Sequence, residues 1–133
     1  MLNELAKEIH ENAVAHGWWD KERRFGETVA LCHTELSEAL EEYRDDHPML
    51  WFQCMSNPNP SHKNCDGCPH DKEGGCEVPE LELKPEGIAV EMIDCIIRIL
   101  DWCGKENVDV DALLKRKHEC NKTRPYLHGG KKL

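Results

Sequence analysis

Two acidic pairs at i, i+3 spacing are the residues in this sequence best suited to chemistry: Glu35 with Glu38, and Glu91 with Asp94. On a helix, each pair projects both carboxylates from one face. The second pair lies in an apolar run at residues 87–100, Gly-Ile-Ala-Val-Glu-Met-Ile-Asp-Cys-Ile-Ile-Arg-Ile-Leu. So apolar a helix is expected to be largely buried, and buried charges are costly unless paired or bound to metal. Four converging carboxylates suit hard divalent cations such as Mg²⁺. Two simpler readings compete. Glu35 and Glu38 could belong to a solvated acidic face, since Glu41 and Glu42 follow. Asp94 could pair with Arg98 at i, i+4, which leaves Glu91 unexplained; Arg98 could equally support a metal-bound carboxylate from behind.

The elements that must position these acids are helices. Leu2, Leu5, Ile9 and Ala13 recur at helical steps over residues 2–16, and Gly17 stops that pattern. A second helix is expected over 26–44, with Val29, Cys32, Leu36, Ala39, Leu40 and Tyr43 as its apolar stripe and Pro48 beyond its end. The third begins near Pro85 and runs to about Cys103, with Gly104 as its stop. A fourth spans about 109–121, capped by Asp109 or Asp111. No useful strand alternation is present. Glu35 and Glu38 lie about eight residues before the end of the second helix, and Glu91 and Asp94 about eight after the start of the third. At 1.5 Å per residue, an antiparallel pairing sets both pairs about 12 Å from the connection, facing each other.

Residues 45–84 need an organisation of their own, because helix–helix connections usually take about 2–8 residues. They carry Cys54, Cys65, Cys68 and Cys76, with Cys65-Asp-Gly-Cys68 forming a tight C-x-x-C turn. Four thiolates can complete a tetrahedral structural Zn²⁺ site, or hold an iron–sulfur cluster. His62 and His70 are substitutes for one cysteine, and a metal-free loop with free thiols is the remaining reading. Cys32, Cys95, Cys103 and Cys120 fall on helices and are expected to act as small buried apolar residues.

With 133 residues, 39% hydrophobic and 32% charged, the chain reads as one domain, 1–133, with a modest core supplemented by burial between subunits. No run reaches the roughly 18 apolar residues of a membrane span, and no signal peptide is apparent at the start. A cytoplasmic protein with reduced thiols is expected. A net charge of −9 argues against a nucleic-acid polymer as partner. Residues 115–133 nonetheless carry +6, leaving −15 elsewhere. One part suits cations and the other anions, and a metal-bound phosphate ester satisfies both; basic C-terminal runs are also often merely solvated.

The segments Glu35-Leu-Ser-Glu38 and Glu91-Met-Ile-Asp94 resemble the paired E-x-x-E and E-x-x-D motifs of the MazG-like, all-α nucleoside triphosphate pyrophosphohydrolases. Residues 1–44 and 85–133 carry the likeness, including the ending from Lys117 to Lys131; the cysteine-bearing insertion departs from it. The resemblance implies an all-α, four-helix bundle of MazG-like type with the insertion between helices 2 and 3, assembled as a homodimer or homotetramer. It implies Mg²⁺-dependent hydrolysis of a nucleoside triphosphate to the monophosphate and pyrophosphate. A metal-activated water would attack the α-phosphorus. Glu35, Glu38, Glu91 and Asp94 would hold Mg²⁺, with Glu38 taking the water's proton. Lys117 and Asn121, one turn apart, and Arg124 with its bidentate fork would bind the phosphates. Trp18 and Trp19 could stack on the base, or pack the corner after the first helix.

Other functions are weighed on the same residues. Carboxylate-bridged di-iron bundles use Glu-x-x-His motifs, whereas here the third residue after Glu35 and Glu91 is again acidic. A non-enzymatic, metal- or redox-responsive interaction module using the cysteine loop is the alternative from a different class.

Overall fold

The computed structural model describes residues 1–53, 71–72, 75–76 and 83–125. These are mostly helical, with four helices among the described residues: α1 (Leu2–Ala15), α2 (Phe25–Arg44), α3 (Ile88–Lys105) and α4 (Val110–Lys122). Four short strands accompany them: β1 (Trp51–Gln53), β2 (Asp71–Lys72), β3 (Gly75–Cys76) and β4 (Lys84–Glu86). Both ladders are antiparallel, β1 with β4 and β2 with β3. The chain divides into two units, residues 1–29 with 96–133, and residues 30–95.

In the first unit, α1 ends as its sequence requires. Gly17 adopts φ +79°, a left-handed conformation that glycine takes without a Cβ penalty. The amides of Gly17 and Trp18 then close the last turn onto the carbonyls of Val14 and Ala13. The small core gathers Ala6, Leu100 and Cys103, with Ile9, Trp102, Val108 and Val110 packed at its rim. Ala6, rather than Leu5, faces inward near the start of α1: Ala6 is 2% exposed and Leu5 is 43% exposed.

Gly104 explains that choice and corrects the expected end of α3. It does not stop the helix, which continues to Lys105. A Cβ on Gly104 would lie 2.4 Å from the Ala6 carbonyl oxygen and 2.8 Å from His10 Cβ. Two small residues thus let α1 and α3 cross almost backbone to backbone.

Asp109 caps α4 by accepting from the Ala112 amide at 3.1 Å. Asp111, the other candidate, instead caps α1, accepting from the amides of Leu2 and Asn3 at 3.2 Å each. Asn3 returns the interaction: its Nδ2 donates to Asp109 Oδ1, and its Oδ1 accepts from the Asp111 amide. The two helix starts therefore satisfy each other's unpaired donors.

In the second unit, the expected start of α3 near Pro85 is corrected. Pro85 belongs to β4, which runs opposite β1 with Trp51 facing Glu86 and Gln53 facing Lys84. Such a ladder, only three residues long and built from backbone bonds, needs no side-chain alternation and leaves little trace in the sequence. It joins residues 51–53 to residues 84–86. Gly87, at φ +111°, then turns the chain into α3.

The expectation that α3 is largely buried is also corrected. Met92, Ile93, Ile96, Ile97 and Ile99 are exposed, as are Val29, Leu36, Leu40 and Tyr43 of the α2 stripe. Glu91 and Cys95, one turn apart, are the buried residues in the first half of α3. The helix is amphipathic with its bulky apolar side outward, because the described elements of one chain do not cover it. Of the helical cysteines, Cys95 and Cys103 are buried and Cys32 half-buried, but Cys120 is exposed, since no residue of α4 is buried.

Candidate metal centre

The centre lies in the unit formed by residues 30–95. Thr28, Glu35 and Ala39 are the buried residues of α2, and their spacing of seven and four places them on one stripe. Glu35 thereby points inward at 6% exposure, and Glu91 does the same from α3 at 8%. Glu38, one turn after Glu35, is exposed. Glu35, Glu38 and Glu91 each offer a carboxylate oxygen, and these oxygens lie within 4.8 Å of one another. Among the described residues, no other trio of His, Cys, Asp and Glu converges this closely.

Crowding like charges around the buried Glu91 carboxyl has a direct electrostatic consequence. The Glu91 carboxyl is pushed up from 4.5 to about 7, first by burial and then by the charges of Glu38, Asp94, Glu86 and Glu35. Asp94, the fourth acid expected from the sequence, is half-buried and lies outside the trio, yet its charge acts on Glu91. Three oxygen donors, two of them from buried residues, fit a hard cation.

The scaffold around the centre is rigid at the point where α3 begins. A Cβ on Gly87 would meet the carbonyl oxygens of Pro48 and Met49 at 2.8 and 3.0 Å and Trp51 Cδ1 at 3.0 Å. The Ala89 amide donates to the Met49 carbonyl at 2.9 Å. Trp51 Nε1 donates to Glu42 Oε2 at 2.9 Å, and His47 Nδ1 lies 3.1 Å from the same oxygen. The start of α3, β1 and the end of α2 are thus tied together, which fixes the level at which Glu91 meets Glu35 and Glu38.

Two residues whose charges interact with Glu91 escaped the sequence reading, Lys84 and Glu86. They flank Pro85 on β4 and form an ion pair. Their signal was available: residues two apart on an extended strand share a side, and both immediately precede the helix that carries Glu91.

Trp18, Trp19, Lys117, Asn121 and Arg124 lie in the other unit. Trp19 is engaged: its Nε1 donates to Asp101 Oδ1 and Oδ2 at 3.0 and 3.1 Å. Its ring is covered by Arg23 at 5.0 Å and Lys105 at 5.1 Å. Asp101 is 5% exposed and also lies 2.8 Å from His10 Nδ1. Trp18 is 47% exposed with the Arg98 guanidinium 4.3 Å from its ring centre, and both line a pocket of about 200 Å³ with Asn12, His16 and Asp101. Lys117, Asn121 and Arg124 are exposed along α4 and just beyond its end. Cys54, Cys65 and Cys68 lie outside the described residues. Cys76 falls in β3, and its side chain also lies outside them.

Comparison with family models, with curated proteins and with solved structures finds no match to this chain. No helix among the described residues is long and apolar enough to cross a membrane.

Proposed function

We propose that this chain is a Mg²⁺-dependent nucleoside triphosphate pyrophosphohydrolase built on a MazG-like helical bundle. The observation that carries the reading is the convergence of Glu35, Glu38 and Glu91 from two helices onto a volume suited to one ion. When bound, Mg²⁺ supplies charge neutralisation for phosphate oxygens and lowers the pKa of water. Glu35 and Glu91 would hold the ion from the buried side, with the charge of Asp94 acting on Glu91. Glu38, the exposed member of the trio, is the one water reaches most easily. It accepts the proton of the water that attacks the α-phosphorus, and pyrophosphate leaves.

Lys117, Asn121 and Arg124 bind the phosphates in this reading, and Trp18 stacks on the base; each comes from the same subunit or from a neighbour. A homodimer or homotetramer is part of the proposal. It is supported by exposed apolar side chains at helical spacing on α2 (Leu36, Leu40, Tyr43) and on α3 (Met92, Ile93, Ile96), which a second subunit would cover. Any Zn²⁺ or iron–sulfur cluster in the insertion is structural, and the site of reaction is cytoplasmic.

The test is incubation with a panel of standard, deoxy and modified nucleoside triphosphates in the presence of Mg²⁺, with pyrophosphate and monophosphate measured together. Release of both in equal amounts, abolished in Glu35→Gln and Glu91→Gln, is expected. Absence of pyrophosphate across the panel removes the proposal.

A further inference from the structure

The pocket of about 200 Å³ beside Trp18 lies wholly within the unit of residues 1–29 and 96–133. That volume is below the roughly 300–1,000 Å³ of drug-sized ligand sites, and suits one or two rings. Ile9 and Ile97 give it apolar walls, and Trp18 an aromatic one. Asp101 is the lining residue that is both charged and buried. Its Oδ1 is filled twice, by His10 Nδ1 at 2.8 Å and by Trp19 Nε1 at 3.0 Å; a carboxylate only accepts, so both nitrogens donate. Its Oδ2 accepts only the same Trp19 hydrogen, at 3.1 Å. A carboxylate has about four acceptor positions, so Oδ2 keeps room for one more donor. Asn12 brings to the same pocket a side-chain amide that is unengaged among the described residues. The pocket therefore asks for a flat ring with one N–H donor beside one acceptor. Cytosine and adenine carry that edge, an exocyclic amine next to a bare ring nitrogen. Uracil and thymine put a carbonyl oxygen where cytosine has its amine, and that oxygen repels a carboxylate. Guanine offers two adjacent donors, which need both carboxylate oxygens open, whereas Oδ1 is filled.

We propose, resting on the reading above, that this pocket selects amino-bearing bases: Asp101 accepts from the exocyclic amine, and Asn12 donates to the ring nitrogen beside it. The substrates are then triphosphates of cytosine- or adenine-type nucleosides. His10 and Trp19 are positioning residues, because they hold the Asp101 carboxylate.

The experiment titrates ¹⁵N-labelled protein in EDTA with cytidine, adenosine, uridine and guanosine, following the Trp18 and Trp51 indole N–H signals and the Asn12 side-chain amide. With neither metal nor phosphate present, it reads the pocket alone. Cytidine, adenosine or both are expected to shift Trp18 and Asn12 and to leave Trp51, in the other unit, unmoved. Uridine and guanosine should bind at least about tenfold more weakly. Cytidine alone marks a one-ring pocket; binding of adenosine marks a two-ring one. Asp101→Asn places an amide donor where Oδ2 accepts, so its preference should turn toward uridine, a reversal that general loss of structure cannot produce. Asn12→Ala, on an exposed position of α1, should weaken cytidine and adenosine by about tenfold with thermal melting unchanged, and it decides the matter if Asp101→Asn does not fold. Equal binding of all four nucleosides, tighter binding of uridine or guanosine, or no shift of Trp18 with any of them overturns the proposal. Pyrophosphate release tests the hydrolase reading separately: nucleoside selectivity without release leaves the pocket standing, and release without selectivity leaves the hydrolase standing.

Discussion

Replacing Glu91 with Gln removes one charge from the centre of the acidic trio while keeping its shape. In the folded chain the Glu91 carboxyl titrates at about 7 instead of 4.5. Between those two values the folded state holds a proton that the unfolded state has released. Stability from this group is therefore complete below pH 4.5, falls as pH rises, and levels off above 7. The displacement corresponds to a loss of about 3 kcal/mol at alkaline pH, an upper limit because Glu38 is exposed and can turn away. Glu91→Gln cannot ionise, so in EDTA it is expected to be more stable than wild type at pH 8, by up to that amount, and similar at pH 4.5. Added Mg²⁺ reverses the order, stabilising wild type and leaving the variant unchanged. Urea denaturation at pH 4.5, 6, 7 and 8, with EDTA or Mg²⁺, reads both effects. If Glu91→Gln is less stable than wild type at pH 8 in EDTA, the carboxylates do not crowd one another and the electrostatic account is wrong.

Other predictions concern the scaffold and the proton linkage. Gly104→Ala introduces a methyl 2.4 Å from the Ala6 carbonyl oxygen, so thermal denaturation followed by circular dichroism should show a loss of about 1–3 kcal/mol, despite alanine's better helix propensity. Trp19→Phe keeps the ring but withdraws a donor from the buried Asp101, at an expected cost of about 1–3 kcal/mol in urea denaturation. Asp111→Ala frees the start of α1, and hydrogen exchange at the Leu2 and Asn3 amides should accelerate while the interior of α2 stays protected. Mg²⁺ affinity measured by calorimetry should rise by about fivefold between pH 6 and 7, and by about tenfold between pH 6 and 8, because the ion displaces the Glu91 proton.

The site was more legible than its surroundings. Helical spacing and distance from the connection were enough to anticipate that Glu35 and Glu38 face Glu91, because pitch and rise are fixed by the backbone. Asp94's absence from the trio was not legible: i, i+3 spacing gives a common face, but the rotation of the helix decides which of two neighbours points inward. Nor was the outward turn of Ile93 and Ile96. An apolar stripe says that a helix needs a partner, not whether its own chain supplies one. Pro85 and Gly104 carried conventional start and stop signals, but tertiary contacts overrode both. One sits in a three-residue ladder that no periodicity announces, and the other permits a close helix crossing that only the Ala6 backbone explains.

The central claim is that Glu35, Glu38 and Glu91 share one divalent ion. Crystals grown with Mn²⁺ and measured at a wavelength where manganese scatters anomalously test it directly. An anomalous peak bonded to carboxylate oxygens of all three glutamates, at about 2.2 Å, is the predicted result. A map with no peak there, or with Glu35 and Glu91 turned away from a shared volume, contradicts the account.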